Sequence, residues 1–406
     1  MNKQTSRFLS AARGLAAVAV LFTHVQSSVL VALADTPQAL RGPAVYLSWF
    51  LYGFAHQAVV VFFVVSGFLI GGGVLAQAAD GKRFLSRYLV DRTVRIYVVL
   101  VPALVLTAAL DVLGRRYFAE TGIYDLPIYA ERSGFGVFAA NLAGLQDIYA
   151  PYFGTDSALW TLSHEYWYYV AFGLCGVSLS AGYSPRARRL ALLGAIALTA
   201  LMSATLSYHL FGFGLWLLGA AAARLSRPLT ASAFKAVWLF LAVAIGLRLG
   251  LRYSLIEIWW IGGLADAAVA LAFANVLLAL RFDPAPPWRF LSWRGHSTLS
   301  DVSYSLYAVH MPIVVFLCAA AQTSFGYGWR SIPAGLPQWA IFVGVLATTM
   351  LCASVFWRLF ESNTPAARAL AHRFLARCSA YAAPPSALAH ARRLLRLTAL
   401  RRSARR

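Results

Sequence analysis

The chain has 406 residues, 60% of them apolar and 12% charged, with a mean hydropathy of +0.65. A water-soluble domain carries about a quarter charged residues, so this composition excludes a soluble protein and places the chain in a membrane. The formal charge of +20 would suggest a nucleic-acid partner in a soluble chain, but here its placement along the sequence gives it another meaning.

Apolar stretches of spanning length, about 17 to 25 residues, lie near 11–34, 50–76, 96–113, 157–180, 190–208, 210–223, 236–250, 255–280, 299–322 and 338–358. Of these, 210–223 and 236–250 are short. The expected fold is an all-α, polytopic transmembrane bundle of about ten spans. With both termini cytoplasmic, 28 of the 35 Lys and Arg fall on the cytoplasmic side, the asymmetry that orients a membrane protein. Most of the positive charge therefore records orientation, and no nucleic-acid partner is expected. The membrane domain is drawn at 1–365, followed by a basic, Ala/Arg-rich cytoplasmic tail at 366–406.

The first apolar segment reads R-GLAAVAVLFT-H from Arg13 to His24. Eleven helical steps bring both side chains to one face, about 16 Å apart along the axis. An ionisable group at that depth needs a bundle interior or a wet cavity. His24 is then either a satisfied core histidine or a functional one, and Arg13 either snorkels to headgroups or binds an anion. Lys3, Arg7 and the Ala32-Leu33-Ala34 triplet resemble a signal peptide, but the length of the run and its charged residues favour an uncleaved span.

The second segment carries FFVVSGFLIGGG, whose small residues permit close helix approach; Ser66 as a substrate-lining residue is the alternative. Arg92 and Arg95, three apart at the next helix entrance, share a face that can grip one polyanion as well as contact anionic lipid. Residues 114–156 form the longest stretch between spans and mix acids with tyrosines, which suits either a carbohydrate surface or an interfacial cover.

The fourth segment opens SALWTLSHEYWYYV. Glu165 falls about 12 Å below its outer end, and His24 about 15 Å below the outer end of its own helix. A carboxylate–imidazole pair is therefore expected, with Glu165 raising the basicity of His24. Asp266 in the eighth segment and His310 in the ninth, LSDVSYSLYAVHMP, fall at similar depths and join the same expected polar centre with Ser305. Cys175, Cys318, Cys352 and Cys378 have no CxxC spacing; no metal site is expected, and the first three are expected as buried thiols.

These residues resemble the acyltransferase-3 family of bacterial inner-membrane acyltransferases, which includes O-antigen, exopolysaccharide and Nod-factor acetylases. Arg13 and His24 match its R-x10-H. Phe62, Phe63, Ser66, Gly67 and Phe68 match its FFxxSGF, and Arg92, Arg95 and Ile96 its RxxRI. Trp160–Tyr169 resembles WSLSVEEQFY with Tyr166 in place of the second acid. Ser303–Pro312 resembles SYSLYLWHWP, and Glu361–Pro365 loosely follows the closing acid-basic-proline motif.

The resemblance implies a multi-pass protein of the bacterial cytoplasmic membrane that uses acetyl-CoA or another acyl-CoA as cosubstrate, with no bound cofactor. The acceptor would be a hydroxyl of a carbohydrate or glycolipid. Many relatives carry a C-terminal extracytoplasmic SGNH domain where this sequence has a basic tail, which favours direct acylation of a sugar. Catalysis is assigned to His24, Glu165 and Arg13, and donor binding to Arg92 and Arg95. Substrate positioning falls to His310, Ser305 and Asp266. The rival expectation is a proton-coupled transporter or flippase of a glycan or lipid, since buried His and Asp also build proton relays.

Overall fold

The computed structural model describes residues 2–205, 208–230, 232–250, 259–283 and 288–382, in which the regular elements are all helical. Helix α1 (Lys3–Val29) opens on Asn2, whose Oδ1 accepts the Thr5 amide N–H at 2.7 Å and so satisfies a first-turn donor. Then come α2 (Pro43–Tyr52) and α3 (Ala55–Ser66), the latter running through a π-helical turn at Gly67–Gly71 into α4 (Gly72–Ala79). Helix α5 (Leu85–Tyr117) leads to a cover containing the short α6 (Phe135–Leu142). After it follow α7 (Trp160–Leu179), α8 (Pro185–Met202), α9 (His209–Ala222), α10 (Ala233–Gly250) and α11 (Trp259–Phe282). The chain continues through α12 (Arg294–Phe325), α13 (Leu336–Leu359) and α14 (Thr364–Ala382).

Each of the ten apolar stretches is helical over most of its described residues. Seven helical segments are long and apolar enough to cross a membrane, and α9 is apolar but shorter. Helices α7 and α8 occupy the remaining positions without reaching that combination of length and hydropathy. Large apolar side chains point away from the protein in stripes three and four residues apart, among them Leu192, Leu193 and Ile196 on α8 and Leu351 and Val355 on α13. Such stripes suit acyl chains as solvent.

The bundle is organised around α1 and α12, which pack along most of their length. Their close approach depends on Gly14, where a Cβ would stand 2.7 Å from Leu299 Cβ. A second tight crossing joins the π-helical turn after α3 to α9 at Gly67, where a Cβ would lie 1.8 Å from the Trp216 carbonyl oxygen. The small residues of the second apolar segment thus serve close backbone approach, as expected.

Polar bonds tie the two faces of the bundle. On the face where α1 begins, Asn2 Nδ2 donates to Leu280 O at 2.8 Å, Arg281 to Ala222 O at 2.7 Å and Arg83 to Gly182 O at 2.8 Å. On the opposite face, the amides of Arg330 and Ser331 donate to Ser28 O and Val29 O at the end of α1. There Arg248 also stacks on Trp49 at 3.9 Å.

Residues 118–159 cover that opposite face and bury Tyr124 and Tyr129 against the bundle, while Tyr117 and Tyr149 are exposed. Asp156, at the end of this cover, is fully buried beside Asp111 and Thr107. Burial, reinforced by the neighbouring Asp111, pushes its carboxyl well above the usual carboxylate range.

The cysteine expectation requires correction. Cys318 is buried, but Cys175 is only half-buried and Cys352 is exposed, the latter because α13 turns that face outward along with Leu351 and Val355. The beginning of the expected tail is an ordered helix, α14, held to α5 by His372 Nε2 at 2.9 Å from Asp91 Oδ1; residues 383–406 lie outside the described residues.

Candidate active site

Three arginines converge at the end of the bundle where α1 begins. Arg13 comes from α1, and Arg92 and Arg95 from the first turns of α5. They line a cavity of about 190 Å³ together with Glu165 and Tyr169 from α7 and Tyr307 from α12. A second recess of about 310 Å³ opens on the same face and is also lined by Arg13 and Arg95, with Asp301, Glu361 and Arg368. Arg13 and Arg95 therefore stand where the recess meets the cavity.

Each guanidinium at this junction is held differently. Arg95 donates to Glu361 Oε1 at 2.6 Å and lies 4.7 Å from the Tyr304 ring centroid. Glu361 is only 4% exposed, and its other oxygen accepts the Ser305 amide at 3.0 Å and the Ser305 hydroxyl at 2.5 Å. Arg13 reaches the Ser303 hydroxyl at 3.4 Å. Arg92 lies 6.0 Å from the Tyr169 ring centroid, and its Nε is buried without a partner. A buried guanidinium N–H with nothing to bond is costly, and an entering anion would satisfy it.

Deeper in the cavity, Ser66 meets the Tyr169 hydroxyl at 3.1 Å and accepts the Trp216 indole N–H at 3.1 Å. It both lines the cavity and ends α3 at the π-helical turn, a distortion frequent at functional sites. Glu165 and Tyr169, one turn apart on α7, present an acid and a phenol to the same space.

The histidines sit beyond this cavity. His24 and His310 face each other with ring centroids 5.0 Å apart. The Tyr307 ring stands 5.9 Å from both Phe62 and His310, which places it between the cavity and the imidazoles. His310 Nδ1 lies 3.1 Å from Leu306 O and 2.9 Å from Tyr307 O. Carbonyls only accept, so Nδ1 carries the proton and donates, and Nε2 is left as a lone-pair acceptor. That Nε2 is buried and unpartnered.

The expected polar centre is thus rearranged. No hydrogen bond or ion pair joins His24 to Glu165; α1 packs lengthwise on α12, so the histidine meets His310 instead. Ser305 faces Glu361 and helps fix Arg95 rather than the imidazoles. Asp266 belongs to a separate cluster, accepting the Tyr208 hydroxyl at 2.7 Å and lying 2.8 Å from His56 Nε2. His164 is enclosed between Asp147 at 3.0 Å and His209 at 2.9 Å, so it is a hydrogen-bonded link.

Sequence reasoning left four contributors out of the site: Tyr169, Tyr304, Tyr307 and Glu361. The i, i+3 spacing of Tyr304 and Tyr307 and the i, i+4 spacing of Glu165 and Tyr169 put each pair on one helix face, but aromatic-rich segments hide that signal. Among the described residues no cluster of His, Cys, Asp and Glu is arranged to hold a metal ion.

The acyltransferase-3 family model, described as an acyltransferase domain, matches residues 6–358. No curated protein and no solved structure matches the chain. The match takes in α1 through nearly all of α13, including the arginine junction, the cavity and the facing histidines. The chain belongs to the acyltransferase-3 family of membrane acyltransferases.

Proposed function

We propose that the protein transfers an acyl group, acetyl in the simplest case, from acyl-CoA to a hydroxyl of a cell-surface or lipid-linked carbohydrate. The reading takes the face where α1 begins as cytoplasmic. One observation carries it: the arginines lie at the mouth of a cavity whose inner wall, Tyr307, backs onto an imidazole with a fixed, free lone pair.

Arginines at a junction suit the phosphates of CoA, which take paired N–H donors. The narrower cavity beyond, lined by Phe62, Tyr304 and Tyr307, suits the pantetheine arm and thioester. Displacement of the Tyr307 side chain would open the path from this cavity to the histidines.

His24 then acts as general base. It takes the proton of the acceptor hydroxyl as the oxygen attacks the thioester carbonyl; the C–O bond forms, the C–S bond breaks, and the proton passes to the departing thiolate. The unpartnered His310 Nε2 gives this step selectivity for the transition state. The His24 nitrogen that does not take the hydroxyl proton carries an N–H in the neutral ring, and His310 Nε2 can accept from it, a bond that strengthens as the imidazolium charge develops. General-base catalysis of this kind contributes about 10²- to 10⁴-fold.

The test is acyl transfer from radiolabelled acetyl-CoA by the purified protein in membranes, with mass spectrometry of surface glycans from a deletion strain. A lost acetyl increment on one glycan supports the reading. Wild-type protein that binds no CoA and leaves every surface glycan unchanged on deletion overturns it.

A further inference from the structure

The open recess contains an arginine that lies beyond the family match at residue 358. Arg368 projects from α14 into the recess shared by Arg13 and Arg95. Its Nε is buried without a partner, the same condition as Arg92 Nε within the adjoining cavity. The recess itself is lined by three guanidiniums, Arg13, Arg95 and Arg368, and two carboxylates, Asp301 and Glu361. Glu361 is occupied by Arg95 and Ser305, and Asp91 is occupied by His372. Asp301 is exposed to solvent.

The position of Arg368 is built by the helix that carries it. Arg368 and His372 are four residues apart and share one face of α14. His372 bonds Asp91 on α5, the residue next to Arg92 and one turn before Arg95. One polar contact therefore fixes α14 against α5 and holds Arg368 over the arginines already described. Two buried guanidinium Nε groups without acceptors, Arg368 in this cationic recess and Arg92 in the adjoining cavity, call for an anion with several oxygens.

We propose that Arg368 is a further donor-binding residue, which closes over the diphosphate of a nucleotide-bearing acyl donor together with Arg13 and Arg95. The proposal rests on the reading that the donor is a CoA thioester. It adds that the segment after the family domain completes the donor site, with the Asp91–His372 contact as its positioning element.

The experiment measures CoA binding to the full-length protein in detergent by calorimetry. It also measures transfer kinetics with acetyl-CoA and with an acetyl thioester of N-acetylcysteamine, which has no phosphates. Arg368→Ala is expected to weaken CoA binding and raise KM for acetyl-CoA about tenfold, or about 1.4 kcal/mol. Its kcat should change little, and its kcat/KM for the phosphate-free thioester should match wild type. Arg368→Lys should recover part of the affinity. Arg373→Ala, which removes an equal charge from an exposed position on the same helix, should leave binding unchanged.

Wild type that binds CoA alongside a folded Arg368→Ala protein that binds it equally overturns this proposal alone. So does an equal loss with both thioesters, or an equal loss in Arg373→Ala. Wild type that binds no CoA overturns the donor reading as well.

Discussion

Replacing Glu361 by alanine should disturb the arginine junction more than its place near the end of the membrane domain suggests. Its carboxylate is 4% exposed and accepts three donors: Arg95 at 2.6 Å, the Ser305 amide at 3.0 Å and the Ser305 hydroxyl at 2.5 Å. Removing one partner of a fully buried ion pair costs about 3–5 kcal/mol. The Arg95 side chain is 26% exposed, so water compensates part of its lost charge, and about 2–3 kcal/mol is the better figure after that discount.

The Ser305 amide lies within a helix and keeps its backbone partner, so it adds little. Glu361→Gln keeps the shape and one acceptor oxygen but loses the charge, and should cost about half as much. Thermal unfolding in detergent, followed with and without CoA, reads both effects. The alanine variant should unfold several degrees lower and lose most of the CoA-induced stabilisation, because Arg95 no longer has a fixed position. An alanine variant with wild-type unfolding and an undiminished response to CoA would refute the reasoning.

Three further predictions concern other parts of the molecule. Gly67→Ala should prevent stable folding, since its Cβ would meet the Trp216 carbonyl at 1.8 Å and backbone cannot yield as a side-chain tip does; recovery of monodisperse protein at wild-type yield would contradict the tight crossing. Tyr307→Ala should remove the partition between cavity and imidazoles and raise hydrolysis of acetyl-CoA relative to transfer, measured by thiol release without acceptor; an unchanged ratio would oppose that role. Asp156 has a raised carboxyl pKa in the folded state, so its contribution to stability is fully present below the unfolded value and is lost as pH rises through the folded one. Asp156→Asn should therefore gain on wild type in unfolding temperature as pH increases, and a difference that stays constant with pH would contradict the burial of a protonated acid.

Much of the fold was legible because membrane helices announce themselves by length and apolarity. The depth of each polar residue followed from the rise per residue: His24 and His310 were expected at one level and do meet. What depth could not supply was the neighbour. Glu165 was expected beside His24 from equal depth alone, but α1 packs along α12, and which helix lies beside which depends on contacts far apart in sequence. Gly14 against Leu299 is one such contact, and neither residue signals the other.

Asp266 was assigned to the centre for the same reason and belongs instead to a cluster with His56 and Tyr208. Glu361 was visible only as part of a degenerate motif, since its importance comes from Arg95 on α5 and Ser305 on α12, both distant in the chain. Arg368 could not be separated from the other arginines of a basic tail until α14 was seen to turn that one residue into the recess.

The central claim is that the imidazole of His24 performs the proton transfer in an acyl-CoA-dependent reaction. Its most direct test is the single-turnover rate of acyl transfer from labelled acetyl-CoA by a His24→Ala protein shown to fold and to bind CoA as wild type does. The account predicts a loss of about 10²- to 10⁴-fold with unchanged CoA affinity. A transfer rate near that of wild type would contradict it.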